Sequence, residues 1–240
     1  MNLTSKNDLM TSLKERETIY SFLGRMCEKE IDEQMFKNLL ARKDIFLKYK
    51  VIAEPDAADV EEGFEEIYGY LMGLDEEKLS KAILELAADY ANLFLGVGYA
   101  RGKGEGIPHP SESTYTGGYL YSDVVDKLSE MYLEEGLIKS PDFKEPEDHI
   151  ALELHFMAHL CRKAIISLNG EKRQDLLKYL KIQKTFLAEH LLKWAPRLAE
   201  DIITHANTTF YRAIGKITKG FLNIEEKKID KLIEQAEKLL

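Results

Sequence analysis

Cysteine is nearly absent from this 240-residue chain, with Cys27 and Cys161 its two thiols. So few thiols exclude a disulfide-built scaffold and read as the reduced cysteines of an intracellular protein. Glycine (15) and proline (6) are too sparse for collagen-like or low-complexity sequence. No apolar run approaches the roughly 18 residues that a membrane-spanning helix needs. The first thirty residues carry Lys6, Asp8, Lys14, Glu15, Arg16 and Glu17. They hold no apolar core of about 7–15 residues and no small-residue cleavage site, so no targeting segment is predicted and the expected location is the cytoplasm. Positive charge is in deficit too: 33 Lys and Arg face 42 Asp and Glu, a net charge of −9. Such a surface repels phosphate backbones and anionic lipid heads, and no local basic patch offsets it. Neither nucleic-acid binding nor stable membrane insertion is expected. A cationic partner suits this charge, which also serves solubility by itself.

What is present is helical. An apolar fraction of 45% with 10% aromatics excludes disorder. Ile19, Leu23, Met26 and Cys27 form a stripe at i, i+4, i+7, i+8. Leu79, Ile83, Leu86, Tyr90 and Leu93 repeat it, as do Val124, Leu128 and Met131, widened by Tyr121, Val125 and Tyr132. Ile229, Leu232, Ile233, Ala236 and Leu240 predict a C-terminal helix, with Asn223 as its N-cap and Glu226 as capping partner. Alternating strand patterns are absent. These features predict an all-α protein, one globular bundle of about nine or ten helices.

Two segments stand out. Residues 147–168 leave little of a helix's circumference polar, which predicts the buried central helix; Pro146 precedes it and Gly170 follows it. Residues 96–114, GVGYARGKGEGIPHPSEST, form a long Gly/Pro-rich stretch that reads as a hinge loop. It divides the domain 1–240 into an N-terminal half, 1–95, and a C-terminal half, 115–240, each too small to hide its apolar faces alone. A compliant hinge predicts a monomer in exchange with a domain-swapped dimer.

Motifs for chemistry are few. The glycines around Lys103 fail the phosphate-loop pattern, because Gly104 follows Gly102-Lys103 and Val97 stands five residues before Gly102. His155 and His159 are spaced i, i+4, but Phe156 replaces the glutamate of a zincin, and hydrogen-bonded helix histidines are the expected reading. No G-x-S-x-G elbow exists, and Cys161 sits in an apolar helix. What remains is Glu145-Pro146-Glu147-Asp148-His149 at the start of the buried helix. Its carboxylates either complement the positive helix end or pair with arginines of a peptide whose apolar stretch lies on the neighbouring wall.

The run Glu145 to Met157, EPEDHIALELHFM, resembles the E-x-P-D-H-[IL]-x-x-E-L-x-F-M signature of the TorD/DmsD family of chaperones for molybdenum-containing oxidoreductases. Tyr90-x-x-Leu93-Phe94-x-Gly96 is similar to that family's Y-x-x-L-F-x-G segment. The stretch Pro108 to Tyr115 is similar to its P-P-Y-E-S-x-Y, and Phe186-x-x-x-His190-Leu191-x-x-Trp194-x-Pro196 to its late F-x-x-x-H-[LI]-x-x-W-x-P. The match spans about residues 86–200, and proline stands one place earlier than the signature has it, at Pro146 with Glu147 following. The resemblance implies a cytoplasmic, non-enzymatic maturation chaperone. Its partner would be a molybdopterin oxidoreductase catalytic subunit precursor and that precursor's twin-arginine signal peptide, held until the cofactor is inserted. A NarJ-like helper acting on the reductase body is the related alternative; a GTP-binding or GTP-hydrolysing protein using the Gly-rich loop around Lys103 is the alternative from a different class. The resemblance implies no catalytic residue, metal or cofactor, apart from the weak GTP binding of some members. Asp148 and His149 match the pair that the resemblance implies for peptide recognition, and with Glu145, Glu153, Tyr115, His190 and Trp194 they are the candidate peptide-binding residues.

Overall fold

A helix whose apolar positions recur every three to four residues must bury that stripe, and α1 (Leu3–Glu28) buries Leu9, Leu13, Tyr20, Leu23 and Cys27. The structure, a computed structural model, describes residues 3–51, 57–74, 76–95, 107–117 and 122–239. Nine further α-helices follow among these: α2 (Glu33–Ala41), α3 (Ala58–Met72), α4 (Glu76–Phe94), α5 (Glu112–Thr116), α6 (Asp123–Glu134), α7 (Ile150–Asn169), α8 (Arg173–Phe186), α9 (Leu192–His205) and α10 (Thr209–Lys238). A 3₁₀ stretch, Lys43–Val51, follows α2. One π turn, Leu187–Leu191, joins α8 to α9. No strand occurs among the described residues, whose single β feature is an antiparallel bridge between Ser111 and His149. The all-α expectation holds.

The expected buried helix is α7, capped by His149 and ended by Gly170. It packs on α1 and α8. It shares the centre with α10, which contacts α3, α9, α8, α1 and α4. Thr208 caps α10 by accepting from the Tyr211 N–H, and the helix then runs for 30 residues. The predicted start at Asn223 is therefore wrong. The stripe Ile214, Ile217, Phe221 and Ile224 continues straight through that position, and tertiary burial overrides the local capping pattern. The sequence halves interlock, with α1 lying on α7 and α3 on α10.

Of the expected hinge, residues 96–106, Lys103 included, lie outside the described residues, as do Tyr121 and Leu240 of the predicted stripes. Residues 107–114 are described, and they do not form a loose linker. Ile107, Ser111, Glu112 and Ser113 are buried, and two backbone bonds sew this segment to the start of α7.

Two buried carboxylates tie distant segments together. Arg16 falls within the buried stripe of α1, and its guanidinium donates to Glu225 of α10 at 2.7 and 2.8 Å, with Tyr20 Oη donating to the same carboxylate at 2.7 Å. Burial opposes the Arg16 charge, but Glu225 outweighs it and pushes the guanidinium pKa up. Asp89 of α4 accepts from the N–H groups and side chains of Asn207 and Thr208, at 2.7–3.3 Å, and so fixes the entry to α10.

Glycine sets the distance between α3 and α10. A Cβ on Gly63 would stand 2.5 Å from Ile217 Cγ1 and 2.9 Å from the Ala213 carbonyl oxygen. Gly63→Ala is expected to destabilise the fold, because overpacking of about 1–3 kcal/mol outweighs the roughly 1 kcal/mol gained in helix propensity. Gly69→Ala on the same helix meets nothing within 4 Å and should stabilise by up to about 1 kcal/mol. Urea midpoints of the two variants, moving in opposite directions, check this.

Candidate functional site

All seven residues named from the sequence fall in one network around the start of α7. The segment 107–117 lies across that start. Ile150 N–H donates to the Pro110 carbonyl and Glu112 N–H to the Asp148 carbonyl, both at 2.9 Å, around the Ser111–His149 bridge. The Asp148 carboxylate accepts from Ser113 N–H at 2.8 Å. Asp148 thus holds the first turn of α5, whereas its own helix α7 is capped by His149, whose Nδ1 accepts from Ala151 N–H at 3.2 Å. Of the two readings the sequence leaves open for this cluster, capping of α7 falls to His149 and not to Asp148. Of the expected trio of first-turn acids, Glu145, Glu147 and Asp148 all precede the cap, and Glu153 is the acid inside the first turn.

Glu153, fully buried, accepts from Trp194 Nε1 at 3.3 Å. His190 Nδ1 lies 2.7 Å from Glu112 Oε2. His190 belongs to the π turn, and Trp194 follows four residues on. The turn and Pro196, which has no N–H to give to Leu192, together set how these side chains meet α5 and α7. The Trp194 ring stands 5.5 Å from that of Tyr115. Tyr115 Oη donates to Asp201 at 2.7 Å, and Arg197 donates to the Tyr115 carbonyl at 3.0 Å while its guanidinium lies over the ring. Glu145 is the outermost member: it sits 2.7 Å from His109 Nε2, with both side chains partly exposed. His109 Nδ1 reaches Ser111 Oγ at 2.8 Å, and its ring meets that of His149 edge-on.

Burial, together with neighbouring His109, pushes His149 down to about 3, so its ring is neutral. Because Nδ1 accepts, the proton sits on Nε2, which has no protein acceptor. Burial also pushes Glu153 well above the ordinary carboxylate range. Glu112 and Asp148 add to that rise, and the Trp194 hydrogen bond opposes it. Asp148 Oδ1, Glu153 Oε1 and Ser113 Oγ are buried without a protein partner. Among the described residues no lysine or arginine hydrogen-bonds to Glu112, Asp148 or Glu153.

Beside this knot runs a trough of about 280 Å³ lined by Tyr132, Phe143, Leu152 and Phe156 together with the polar side chains of Glu28, Lys139, His155 and Arg162. Phe143 packs edge-on against His149. A second hollow of about 260 Å³ shares Phe156 and continues toward Met131 and Ile182. Ile138, on the lining of the first trough, stands 84% exposed. A larger apolar cavity, about 380 Å³, lies apart between α1, α2 and α3 and holds no acid.

The histidine pair of α7 takes separate partners. His155 Nε2 is 3.1 Å from Glu28, and His159 Nε2 is 4.0 Å from Glu135. No group of three His, Cys, Asp or Glu among the described residues is placed to hold a metal. Burial pushes both thiols up to about 12, and Cys161 donates to Gln183 Oε1 at 3.6 Å. Sequence reasoning did not single out Glu112, His109, Asp201 or Arg197. Glu112 lay in plain view within the Pro108–Tyr115 motif, whereas Asp201 and Arg197 gave no local signal.

A model of the family described as nitrate reductase delta subunit matches residues 53–200, which include every member of this network except Asp201. The chain belongs to that family, within its TorD chaperone branch. The "Chaperone protein TorD" of Aliivibrio fischeri is 26% identical over 222 residues, covering 92% of this chain and 97% of the relative. That of Vibrio cholerae is 29% identical over 208 residues, 79% and 90% of the two chains. That of Vibrio atlanticus is 30% identical over 181 residues, 67% and 80%. These relatives are named as chaperones rather than as enzymes, and no described helix is long and apolar enough to cross a membrane.

The two buried titrating groups predict opposite pH slopes. His149 binds its proton more weakly folded than unfolded, so it costs stability as pH falls from about 6.5 toward 3. Glu153 binds its proton more tightly when folded, so its contribution is complete below about pH 4.5 and is lost as pH rises. Glu153→Gln mimics the protonated acid and keeps an acceptor for Trp194. Its stability relative to the parent chain should climb above pH 4.5 by up to about 1.4 kcal/mol per pH unit. Urea titrations between pH 5 and 8 check the sign.

Proposed function

We propose that this chain is a cytoplasmic maturation chaperone. It binds the twin-arginine signal peptide of a molybdopterin oxidoreductase precursor and holds the precursor for cofactor insertion before export. The observation that carries this reading is the acid pocket. Glu112 on the covering segment meets Asp148 and Glu153 beneath it; among the described residues no lysine or arginine answers the three, Glu112 has His190 at 2.7 Å, and Asp148 Oδ1 and Glu153 Oε1 are unbonded. A guanidinium presents five N–H donors in a planar fork that matches carboxylates two at a time. The apolar stretch that follows the arginines in such a signal would lie along the Tyr132–Phe156 trough. The net charge of −9 favours a cationic ligand at longer range. The chaperone names of the relatives support a binding role. In this reading the protein itself carries no catalytic residue and no cofactor. It is a monomer that exchanges with a domain-swapped dimer, which size-exclusion chromatography over a range of concentrations checks.

The description of the matching family favours a second reading, in which the chaperone grips the reductase body as a NarJ-like helper. Calorimetry separates the two. Saturable binding of the isolated signal peptide supports the first. Binding of a precursor that is undiminished by deletion of its signal, with no binding of the peptide, supports the second.

Asp148→Asn keeps an oxygen for Ser113 N–H and removes the charge. It should leave the fold largely intact and weaken peptide binding by about 1.5–3 kcal/mol, roughly ten- to a hundredfold. The loss should shrink when the peptide's arginines are replaced by glutamine, because both changes then remove one interaction. A double-mutant cycle by calorimetry reads this coupling, and a coupling of zero places arginine recognition elsewhere.

A further inference from the structure

We propose that residues 107–117 form a strap closed over the acid pocket, and that the cationic segment of a peptide enters when the strap lifts. This inference rests on the signal-peptide reading and adds a gate to it. Asp148, His149 and Glu153 are at most 1% exposed, and Glu112, on the strap itself, is 3% exposed. A peptide approaching the closed surface meets Glu145 and His109, not these groups.

The ties that hold the strap are mostly polar. The Pro110 carbonyl and the Glu112 and Ser113 amides bond to the start of α7. Glu112 meets His190, and Tyr115 meets Asp201 and Arg197 on α9. Its buried apolar side chains are Ile107, Pro110 and Tyr115. The strap gives one N–H donor to the Asp148 carboxylate, from Ser113, and one to its backbone carbonyl, from Glu112; the first is chemistry that a guanidinium also brings. Opening with a guanidinium bound therefore replaces the Ser113 donor at that carboxylate and brings further donors to the oxygens that lack one.

The closed state also leaves its polar atoms short of partners. Asp148 Oδ1, His149 Nε2, Glu153 Oε1, Ser113 Oγ and Thr114 Oγ1 are buried without a hydrogen-bond partner in the protein. Each such atom carries a desolvation penalty that opening to water relieves. The closed form is thus held less firmly than its burial suggests, and a ligand with many donors favours the open one.

If the strap gates binding, the apparent affinity equals the open-state affinity multiplied by the open fraction. Loosening the strap at a point remote from the carboxylates should then tighten binding. Asp201→Ala frees Tyr115 Oη, and Arg197→Ala frees the Tyr115 carbonyl; neither touches the acid pocket. Each is expected to speed hydrogen exchange of the 107–117 amides and to lower the dissociation constant for a synthetic twin-arginine signal peptide by about two- to tenfold, the worth of one hydrogen bond. In the parent chain, peptide binding should speed exchange of the Glu112 and Ser113 amides. A variant with a faster-exchanging strap and unchanged or weaker affinity would overturn the gate. Strap exchange unaltered in both variants, or strap amides that gain protection when the peptide binds, would do the same. No binding of the peptide to the parent chain removes the signal-peptide reading, and the gate falls with it.

Discussion

The site turns on Asp148, which faces two ways from one position. Its carbonyl takes the Glu112 amide and its carboxylate takes the Ser113 amide. Two consecutive donors are thereby fixed at the start of α5, a helix of five residues that is far too short to stand without tertiary support. Everything downstream on that segment inherits its position from this pair of bonds. Glu112 then reaches His190, Tyr115 reaches Trp194 and Asp201, and Glu153 is shut away from water. The sequence places Asp148 beside α7, but the physical service it performs is for a segment 35 residues earlier in the chain.

The same device recurs. Glu225 takes donors from Arg16 and Tyr20 across more than 200 residues, and Asp89 takes four donors from Asn207 and Thr208. A buried carboxylate is costly unless paired, so each one selects a single arrangement of the segments that satisfy it. Glu153 shows the converse. Burial pushes its pKa up, Glu112 and Asp148 add to the rise, and one long hydrogen bond from Trp194 opposes it.

Much of this was legible before any coordinates. Helical periodicity gave the all-α class, and the continuous apolarity of 147–168, with Pro146 and Gly170, marked out α7. Motif resemblance drew together seven residues that the fold places in one network. Two readings failed, and both failed for the same kind of reason. Asn223 followed by Glu226 has the local grammar of a helix start, yet burial of Phe221, Ile224 and Glu225 carries α10 through it. Residues 107–114 read as a linker because glycine and proline crowd the stretch, but Pro110 and Ser111 there form the extended edge that pairs with His149. For Asp148 the sequence leaves capping and arginine pairing both open, because local sequence offers no view of Ser113. Arg16 did leave a trace, a charge within the stripe Leu9, Leu13, Tyr20, but a stripe does not say which acid answers it.

Capping and ligand recognition, treated as rivals when the sequence alone is read, draw on the same lone pairs. The oxygen that accepts Ser113 N–H is in use while the segment is closed, whereas Asp148 Oδ1 and Glu153 Oε1 are not. Among the described residues, five of the eleven buried side-chain atoms without a partner belong to residues 113–114 and 148–153. Native proteins satisfy nearly all of their buried polar groups, so unsatisfied atoms crowded into one place mark a region not optimised for stability alone. The Arg16–Glu225 pair shows that this fold can bury a charge and answer it fully on the carboxylate side. The acids at the start of α7 are packed as tightly but answered less completely, which is the condition under which a donor-rich partner gains most by replacing the contacts already there.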